Sequence, residues 1–156
     1  MQVILGAMSA NQHPAAPVAR GCTCLRLRKA SRRVSQVYDQ CLAPFGLTVT
    51  QYGVLGHLAT FAGISIGELA EKLVMDPTTL TRNLRPLQRQ GMVAVARNRR
   101  DRRQRALQLT AAGRKVFETA RQGWVEAQRQ LEQKLGTRET PALNAALDRV
   151  LERLAL

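Results

Sequence analysis

Aromatic and acidic side chains are scarce in this chain of 156 residues. Aromatic residues make up 4% of it, and 11 Asp and Glu residues stand against 24 Lys and Arg residues. The formal charge of +13 accompanies 45% hydrophobic residues, which is typical of a globular protein and not of a disordered polycation. The length suits one domain of roughly 100–200 residues. The charge favours nucleic acid, an acidic membrane surface or an acidic protein as the partner.

Long apolar runs are also missing. None reaches the ~18 residues that a membrane-spanning helix needs, and Val3–Ile4–Leu5 is too short for the apolar part of a secretory signal. Three Cys residues in a chain without an export signal argue against a disulfide scaffold and for a reducing compartment. These absences predict a cytoplasmic protein without a membrane partner.

Catalytic motifs are absent from the sequence as well. It contains no glycine-rich phosphate loop, no nucleophile elbow and no cluster of metal-ligand residues, and its two His residues lack triad partners. Cys22 and Cys24 are two residues apart, so on a helix they point to opposite sides, which disfavours a thiolate metal site. We therefore predict a protein that is not an enzyme and that carries no metal and no cofactor.

The positive charge is concentrated in one segment. Between residues 97 and 105, six Arg residues surround a single acidic residue, Asp101. Residues 111–156 hold eight basic and six acidic residues, as expected for a solvated helical surface. A second basic cluster, between Arg26 and Arg33, is compatible with dimer contacts or with phosphate contacts.

Helical periodicity and capping residues predict the first helices. An apolar stripe with helical spacing begins at Cys24 and stops at Pro44 and Gly46. Thr48 and Ser65 are each followed three residues later by Gln or Glu, which is the pattern of a capping box. These two residues therefore predict the starts of a second helix, through about residue 61, and of a short third one.

The second half of the chain shows the same kinds of signal. Asp76–Pro77 caps a fourth helix, which extends to Gln90. Thr110 caps a long helix over roughly residues 111–135, and another follows Gly136. Between the fourth and fifth helices, alternating apolar residues predict two strands of a β-hairpin with the Arg-rich segment as its loop.

The order of these elements predicts a mainly α protein with a small β-hairpin wing, that is, a winged helix-turn-helix. We expect residues 1–20 to form a flexible N-terminal arm and residues 21–47 a dimerisation helix. Residues 48–110 are expected to be the DNA-binding lobe, and residues 111–156 the C-terminal dimerisation helices. The terminal apolar stripes are too extensive to bury against one small lobe, which favours a homodimer.

A winged helix-turn-helix can bind DNA because a helix fits the major groove and a basic loop beside it reaches the minor groove. The outward side of the fourth helix carries the first candidates, which are Thr78, Thr79, Thr81, Arg82 and Arg85. Of these, Thr78, Thr79 and Arg82 are the strongest candidates for base contacts, since recognition helices read bases near their N-termini.

The hairpin loop supplies the second group of candidates. Its Arg side chains would contact phosphates and the minor groove, and the carboxylate of Asp101 would orient a neighbouring guanidinium. The residues concerned are Arg99, Arg100, Arg102 and Arg103.

An ordered set of motifs over residues 24–135 resembles MarR-type transcriptional regulators. The motifs are Gly46–Leu47–Thr48, Gln51–Tyr52, Glu68–Leu69–Ala70, residues 76–82, Leu87 with Gly91, Asp101 with Arg103, and Leu109–Thr110 with Gly113. The resemblance implies a homodimer whose first and last helices intertwine and whose two lobes straddle a pseudo-palindromic double-stranded DNA operator. It also implies a repressor that a small aromatic or other organic ligand releases, with Arg103 in the minor groove steadied by Asp101.

The resemblance suggests two kinds of switch. The spacing of Cys24 and Tyr38 is similar to that of the reactive Cys and its supporting Tyr in the branch that senses organic hydroperoxides, although Arg28 stands where that branch has a second Tyr. The competing interpretation makes Cys24 and Cys41 small buried hydrophobic residues. For an organic effector, the resemblance implies a pocket whose candidate lining residues are Tyr38, Tyr52, His57 and Trp124.

Two classes of function therefore remain open. A sequence-specific regulator would bind its operator roughly 10³–10⁷-fold more tightly than random DNA. A basic structural protein that binds RNA or nucleoid DNA would share the charge but show little sequence preference.

Overall fold

The computed structural model describes residues 21–97 and 105–155. The elements of this part of the chain are α1 (Thr23–Leu42), a 3₁₀ turn (Ala43–Phe45), α2 (Val49–Thr60), β1 (Ile64–Ser65), α3 (Ile66–Lys72), α4 (Pro77–Arg89), β2 (Val93–Arg97), β3 (Arg105–Leu109), α5 (Ala111–Leu135) and α6 (Glu139–Arg153). Within these ranges no helix combines the length and the hydropathy that crossing a bilayer requires. The predicted N-terminal arm, residues 1–20, lies outside the described residues.

The two predicted capping boxes are confirmed. The hydroxyl of Thr48 accepts a hydrogen bond from the backbone N–H of Gln51 at 3.2 Å, and the Gln51 side chain accepts one from the Thr48 N–H at 3.0 Å. Ser65 and Glu68 exchange the same pair of bonds at 3.2 and 2.8 Å. Both helices begin where the sequence predicts because these bonds satisfy N–H groups that the first helical turn leaves without partners.

The sheet has one strand more than predicted. Its order is β1-β3-β2, and both neighbouring pairs are antiparallel. The predicted hairpin of β2 and β3 is confirmed, with Val95 opposite Leu107. The additional strand β1 places Ile64 opposite the same Leu107. A strand of two residues is too short to show alternation in the sequence.

The core lies among α1, α2, α3, α4 and the sheet, and its centre consists of leucines. The most deeply buried side chains are Leu42, Val54, Leu55, Leu58, Leu69, Leu80, Leu84, Leu87 and Leu107. Helix α5 contributes small buried residues instead. At Gly123 a Cβ atom would lie 2.4 Å from the Cys41 carbonyl oxygen, so α1 and α5 pack with their backbones almost in contact.

The two ends of the chain are covered far less. In α6 only Thr140 is buried, whereas Leu151 is 60% exposed and Leu154, directly after the helix, is 74% exposed. In the first three turns of α1, Cys24 is exposed together with almost every neighbouring residue. The interpretation of Cys24 as a buried hydrophobic residue is therefore wrong for the single chain, because no described element packs over this part of α1.

Candidate nucleic-acid interface

Helix α4 is positioned by a capped N-terminus and a buried leucine stripe. The carboxylate of Asp76 accepts a hydrogen bond from the backbone N–H of Thr79 at 2.8 Å. Leu80, Leu84 and Leu87 face the core and are at most 1% exposed. Because these three side chains fix the helix by one face, its opposite face is presented to solvent.

The turn between α3 and α4 is tied to the end of α3. Leu73 and Met75 donate backbone hydrogen bonds to the carbonyl oxygens of Leu69 and Ala70, at 3.1 and 2.9 Å. Val74 lies between them with a φ of 51° and is 80% exposed. A β-branched residue is strained in this left-handed region, since glycine normally occupies it. The turn is therefore hydrogen-bonded directly to the last turn of α3.

The solvent face of α4 is basic and slightly concave. Thr78, Arg82 and Arg85 are exposed, and together with Pro77 and Thr81 they border a shallow depression of about 400 Å³. The chain has no acidic residue between positions 77 and 97. This face combines hydrogen-bond donors with uninterrupted positive charge, which is the chemistry that phosphates and base edges accept.

The threonine hydroxyls of α4 differ in their partners. The hydroxyl of Thr79 donates to Asp76, and that of Thr81 donates to the Pro77 carbonyl at 2.7 Å. In the described part of the chain the Thr78 hydroxyl makes no hydrogen bond, so it is the one available to an external partner. The hydrogen bonds from Thr79 hold the pKa of the exposed Asp76 carboxyl below its usual range.

The capping role of Thr79 was missed by sequence analysis. Asp76 followed by Thr79 has the three-residue spacing of a capping box with Thr in place of Glu or Gln, and this spacing was the available signal.

The strands of the wing are described, but its tip is not. The β2–β3 ladder ends with Arg97 opposite Arg105, so both ends of the Arg-rich segment lie side by side at the same end of this ladder. The predicted contact residues of the loop lie in residues 98–104, outside the described residues. Their roles stay predictions, and they are Arg99, Arg100, Asp101, Arg102 and Arg103.

A second candidate site is a cavity of about 740 Å³ between α2 and α5. The rings of Tyr52 and Phe117 form part of its wall, and their centroids lie 4.9 Å apart. His57 Nδ1 lies 2.9 Å from the Gly53 carbonyl oxygen, which places the proton on Nδ1 and leaves Nε2 available in the neutral ring. The lining residues are Tyr52, Gly53, Gly56, His57, Thr60, Phe61, Phe117, Glu118, Arg121 and Trp124.

The predicted effector residues are only partly brought together. Tyr52, His57 and Trp124 line the cavity, but Tyr38 does not and packs against the hydrophobic core instead. Sequence analysis missed the lining residues Phe117 and Arg121. Phe117, Arg121 and Trp124 follow one another at spacings of four and three residues, which places them on one face of α5, and this was the available signal.

The cavity is mainly apolar, with one cation at its wall. Burial raises the pKa of the Tyr52 phenol, and the positive charge of Arg121 offsets part of this rise. The guanidinium therefore lies close enough to act on the phenol. Glu118 also lines the cavity, yet among the described residues the one ion pair within 4 Å is Arg129–Glu126, so Glu118 does not neutralise Arg121 at contact distance.

Phe61 connects this cavity with the helix-turn-helix. Its ring lines the cavity and is also the platform for Lys72, whose ammonium lies 4.3 Å from the ring centroid. Lys72 is the last residue of α3. Such a cation–π contact at an exposed site contributes about 0.5–1 kcal/mol.

The proposed redox pair does not meet within one chain. Tyr38 follows Cys24 by 14 residues on the continuous helix α1, which corresponds to about 21 Å of helix rise. Cys24 is exposed, whereas Tyr38 is partly buried, and this burial raises the pKa of its phenol. Any contact between the two side chains requires a second chain.

Comparison with known proteins gives a consistent result. A sequence model described as the MarR family matches residues 45–104. BadR, a transcriptional activatory protein of Rhodopseudomonas palustris, is 35% identical over 105 residues, which are 65% of this chain and 60% of BadR. TtmR, an HTH-type transcriptional regulator of Methylorubrum extorquens, is 37% identical over 91 residues, which are 58% of this chain and 47% of TtmR. The chain thus spans between about half and three fifths of the length of these two relatives.

A solved structure extends the similarity to nearly the whole chain. The DNA complex of the M. tuberculosis transcriptional regulator MosR superimposes with a TM-score of 0.71 and 32% sequence identity. The match covers 86% of this chain and 99% of that one. The predicted winged helix fold is therefore confirmed, and the likeness is to transcriptional regulators and not to enzymes.

Proposed function

Because the chain belongs to the MarR family of transcriptional regulators, we propose that it binds a double-stranded DNA operator sequence-specifically, as a homodimer. The observation that carries this proposal is the solvent face of α4, with its donors and its uninterrupted positive charge. Phosphates attract such a surface whatever the sequence, and base edges in the major groove select among the donors. The MosR complex with DNA supports the same partner for this chain.

Base reading is assigned to the exposed side of α4. Thr78, Arg82 and Arg85 are exposed and follow one another at spacings of four and three residues, which places them along one side of the helix. An Arg side chain can bridge the O6 and N7 atoms of guanine, and a Thr side chain can contact a thymine methyl or a phosphate. The Arg residues of the wing loop would add phosphate and minor-groove contacts.

The exposed apolar faces at the ends of the chain support the homodimer. An apolar stripe runs along α6 and ends directly after it, and each of its residues Leu143, Val150, Leu151 and Leu154 is at least 40% exposed. Leu27 on α1 is 40% exposed as well. We assign a second copy of this chain as the occupant, since pairing two such faces removes apolar surface from water and brings two lobes onto one duplex.

The cavity between α2 and α5 is assigned to an effector. Its aromatic wall suits a small aromatic compound, and Arg121 suits an acidic group on that compound. Binding there would release the operator, and the protein would act as a repressor in the absence of the effector. A reporter gene placed behind the operator tests whether the protein represses or activates transcription, because deletion of a repressor raises expression.

Selection of bound sequences from random DNA tests the operator proposal. We expect a two-fold motif with half-sites about 10–10.5 base pairs apart. Arg82→Ala should lose the motif, whereas Arg149→Ala, an exposed Arg on α6, should retain it. Enrichment of no motif would favour the alternative of a non-specific basic nucleic-acid-binding protein.

The fluorescence of Trp124 tests the effector proposal. Trp124 is the only Trp in the chain and lines the cavity, so its fluorescence responds to occupancy. We expect benzoate and related aromatic acids to change this fluorescence in a saturable way. Gly53→Leu should abolish the change, since a Cβ at Gly53 meets no atom within 4 Å and the new side chain would extend into open cavity.

A thiol-based peroxide sensor of the same fold is the second candidate. The exposure of Cys24 favours it, because an oxidant can reach the sulfur in the single chain. Organic hydroperoxide should then abolish operator binding in the wild type but not in Cys24→Ser. Indifference of the wild type to peroxide would end this alternative.

A further inference from the structure

We propose that the contact between Lys72 and Phe61 transmits occupancy of the cavity to the DNA-reading helix. An aromatic anion in the cavity would withdraw the Phe61 ring from Lys72 and thereby shift the end of α3 and the start of α4. This inference rests on the proposed function, because it takes the cavity as the effector site and α4 as the recognition helix.

The Phe61 side chain borders the cavity and also contacts Lys72. It forms part of the cavity wall, 6.3 Å from the His57 ring, and it also carries the Lys72 ammonium at 4.3 Å from its centroid. The ring is 41% exposed, so it has space to turn. Gly63, two residues further along the chain, has a φ of 77°, and this left-handed glycine separates the cavity wall from strand β1.

Lys72 is connected to α4 by a short, hydrogen-bonded path. It ends α3, and the next residues donate backbone hydrogen bonds into that helix, as Val74 does to the Glu71 carbonyl at 3.0 Å. Asp76 follows and caps α4 through Thr79. A displacement of Lys72 therefore reaches the N-cap Asp76 within four residues and Thr78, in the first turn of α4, within six.

An aromatic anion acts on this contact in two ways that reinforce each other. A ring that stacks in the cavity occupies the face of Phe61 or forces it to turn. An acidic group held at Arg121 adds a negative charge that draws the Lys72 ammonium away from the weaker attraction of the aromatic face. Both effects favour a state in which the Lys72 ammonium has left its position over the Phe61 ring.

The experiment uses the full-length protein, the selected operator duplex and anilinonaphthalene sulfonate, an aromatic anion that fluoresces when bound. Energy transfer from Trp124 reports binding of the probe in the cavity. The dissociation constant for the operator is measured with and without saturating probe, and their ratio is the coupling. The proteins compared are the wild type, Lys72→Met, Lys72→Arg and Lys115→Met.

We expect the probe to weaken operator binding about tenfold in the wild type, within the range usual for allosteric coupling. Lys72→Arg keeps a cation on the ring and should retain this ratio, and so should Lys115→Met, which removes an exposed cation from the start of α5. Lys72→Met should reduce the ratio to less than about twofold while its affinity for the probe stays near that of the wild type. A phosphate contact by Lys72 would change both dissociation constants and leave their ratio unaltered.

The outcomes separate the relay from the function on which it rests. A Lys72→Met ratio equal to that of the wild type would overturn the relay and leave the effector site standing. Probe that binds beside Trp124 without changing operator affinity in the wild type would contradict the effector function itself, and so would a lack of energy transfer. Phe61→Leu provides a second variant, which keeps an apolar side chain but removes the aromatic face, and it should also lower the ratio at saturating probe.

Discussion

The segment from α2 to β3, which we call the reading lobe, and the C-terminal helix α6 bury their leucines to very different extents. In the reading lobe, Leu55, Leu69 and Leu80 are fully buried. Leu151 in α6 is 60% exposed and Leu154 directly after it is 74% exposed, although α6 has the same kind of apolar stripe. The leucines of the reading lobe therefore pack in a core that Leu42 of α1 and Ala120 of α5 complete, whereas the stripe on α6 stays largely exposed in the single chain.

This difference separates folding from association. The lobe can present the donors of α4 as soon as its own leucines are packed, because every buried neighbour comes from the same chain. The stripe on α6 is mostly exposed in the single chain, and in the proposed homodimer a second copy covers it. Each prediction below either breaks one side of this contrast or measures it more sharply.

The largest effect is expected from Leu151→Asp on α6. Full burial of a Leu side chain contributes about 1.5–3 kcal/mol, and a two-fold dimer contains two copies, so about 3–6 kcal/mol of association would be lost. Sedimentation velocity should show monomers, with the helical signal in circular dichroism preserved. The control is Ala142→Asp, which lies nine residues earlier and thus on the opposite side of α6. A Leu151→Asp protein that stays dimeric would contradict the proposed interface.

Leu84→Ala should break the other side of the contrast. Leu84 is 1% exposed in the core beneath α4, and such a truncation lowers the free energy of unfolding by about 2–5 kcal/mol. Urea unfolding measures the loss. The same truncation at Leu143, which is 43% exposed on α6, should cost little at protein concentrations below the dimer dissociation constant. Similar losses at both positions would mean that the terminal helices are already packed in the single chain.

The next largest effects are expected from substitutions that remove the two kinds of DNA contact. Arg82→Ala is expected to reduce discrimination between operator and random DNA by ~1–3 kcal/mol, since a base contact is lost. Arg103→Ala in the wing loop should weaken binding to both DNAs alike, as the loss of a phosphate or groove contact does. Fluorescence anisotropy with the two duplexes measures both constants. Equal effects from the two substitutions would refute the division of roles.

Val74→Gly should stabilise the reading lobe slightly. The left-handed conformation costs an L-residue about 1–2 kcal/mol, of which the greater freedom of an unfolded glycine returns part, so a net gain of about 0.5–1 kcal/mol is expected. Val125→Gly, in an ordinary helical position of α5, should instead destabilise by about 1 kcal/mol. Thermal unfolding resolves the opposite signs, and a loss at both positions would show that Val74 is not strained.

The smallest effect concerns the cap of α4. Because the folded pKa of Asp76 is lowered, its carboxylate stabilises the fold at pH values above its usual pKa, and this contribution disappears as the pH falls through the lowered value. Thr79→Val removes the donating hydroxyl and should raise the Asp76 pKa towards its usual range. Thr81→Val is the matched control, since its hydroxyl donates to a backbone carbonyl. Carboxyl NMR titration distinguishes the two, and an unchanged Asp76 pKa in Thr79→Val would exclude Thr79 as the cause.

Elements that rest on local interactions could be predicted from the sequence. The caps at Thr48, Ser65, Asp76 and Thr110 act within three residues, and the long helix behind Thr110 spans the predicted residues 111–135. The exposed basic face of α4 follows from the same local periodicity. In contrast, β1 exists only because Ile64 pairs with Leu107, more than forty residues away along the chain.

The candidate sites divide in the same way. Thr78, Arg82 and Arg85 could be named from one helical period, and the structure places all three beside one depression. The cavity residues Phe117 and Arg121 share one face of α5, but Phe61 follows the end of α2, and no local pattern joins it to them. Tyr38 does not line the cavity, because it packs against the hydrophobic core. The wall is formed by α2, Phe61 and α5 instead.

By itself, the sequence determined where the helices begin, which face of α4 is basic and that the ends of the chain carry apolar stripes. These properties depend on spacings of two to four residues, over which backbone geometry alone sets the direction of a side chain. Only the tertiary structure decided that Lys72 lies on Phe61, that Phe61 borders a cavity and that Cys24 is exposed. Those facts depend on how the helices pack against one another and on which surfaces this packing leaves uncovered, and both are settled only once the core has brought the helices together.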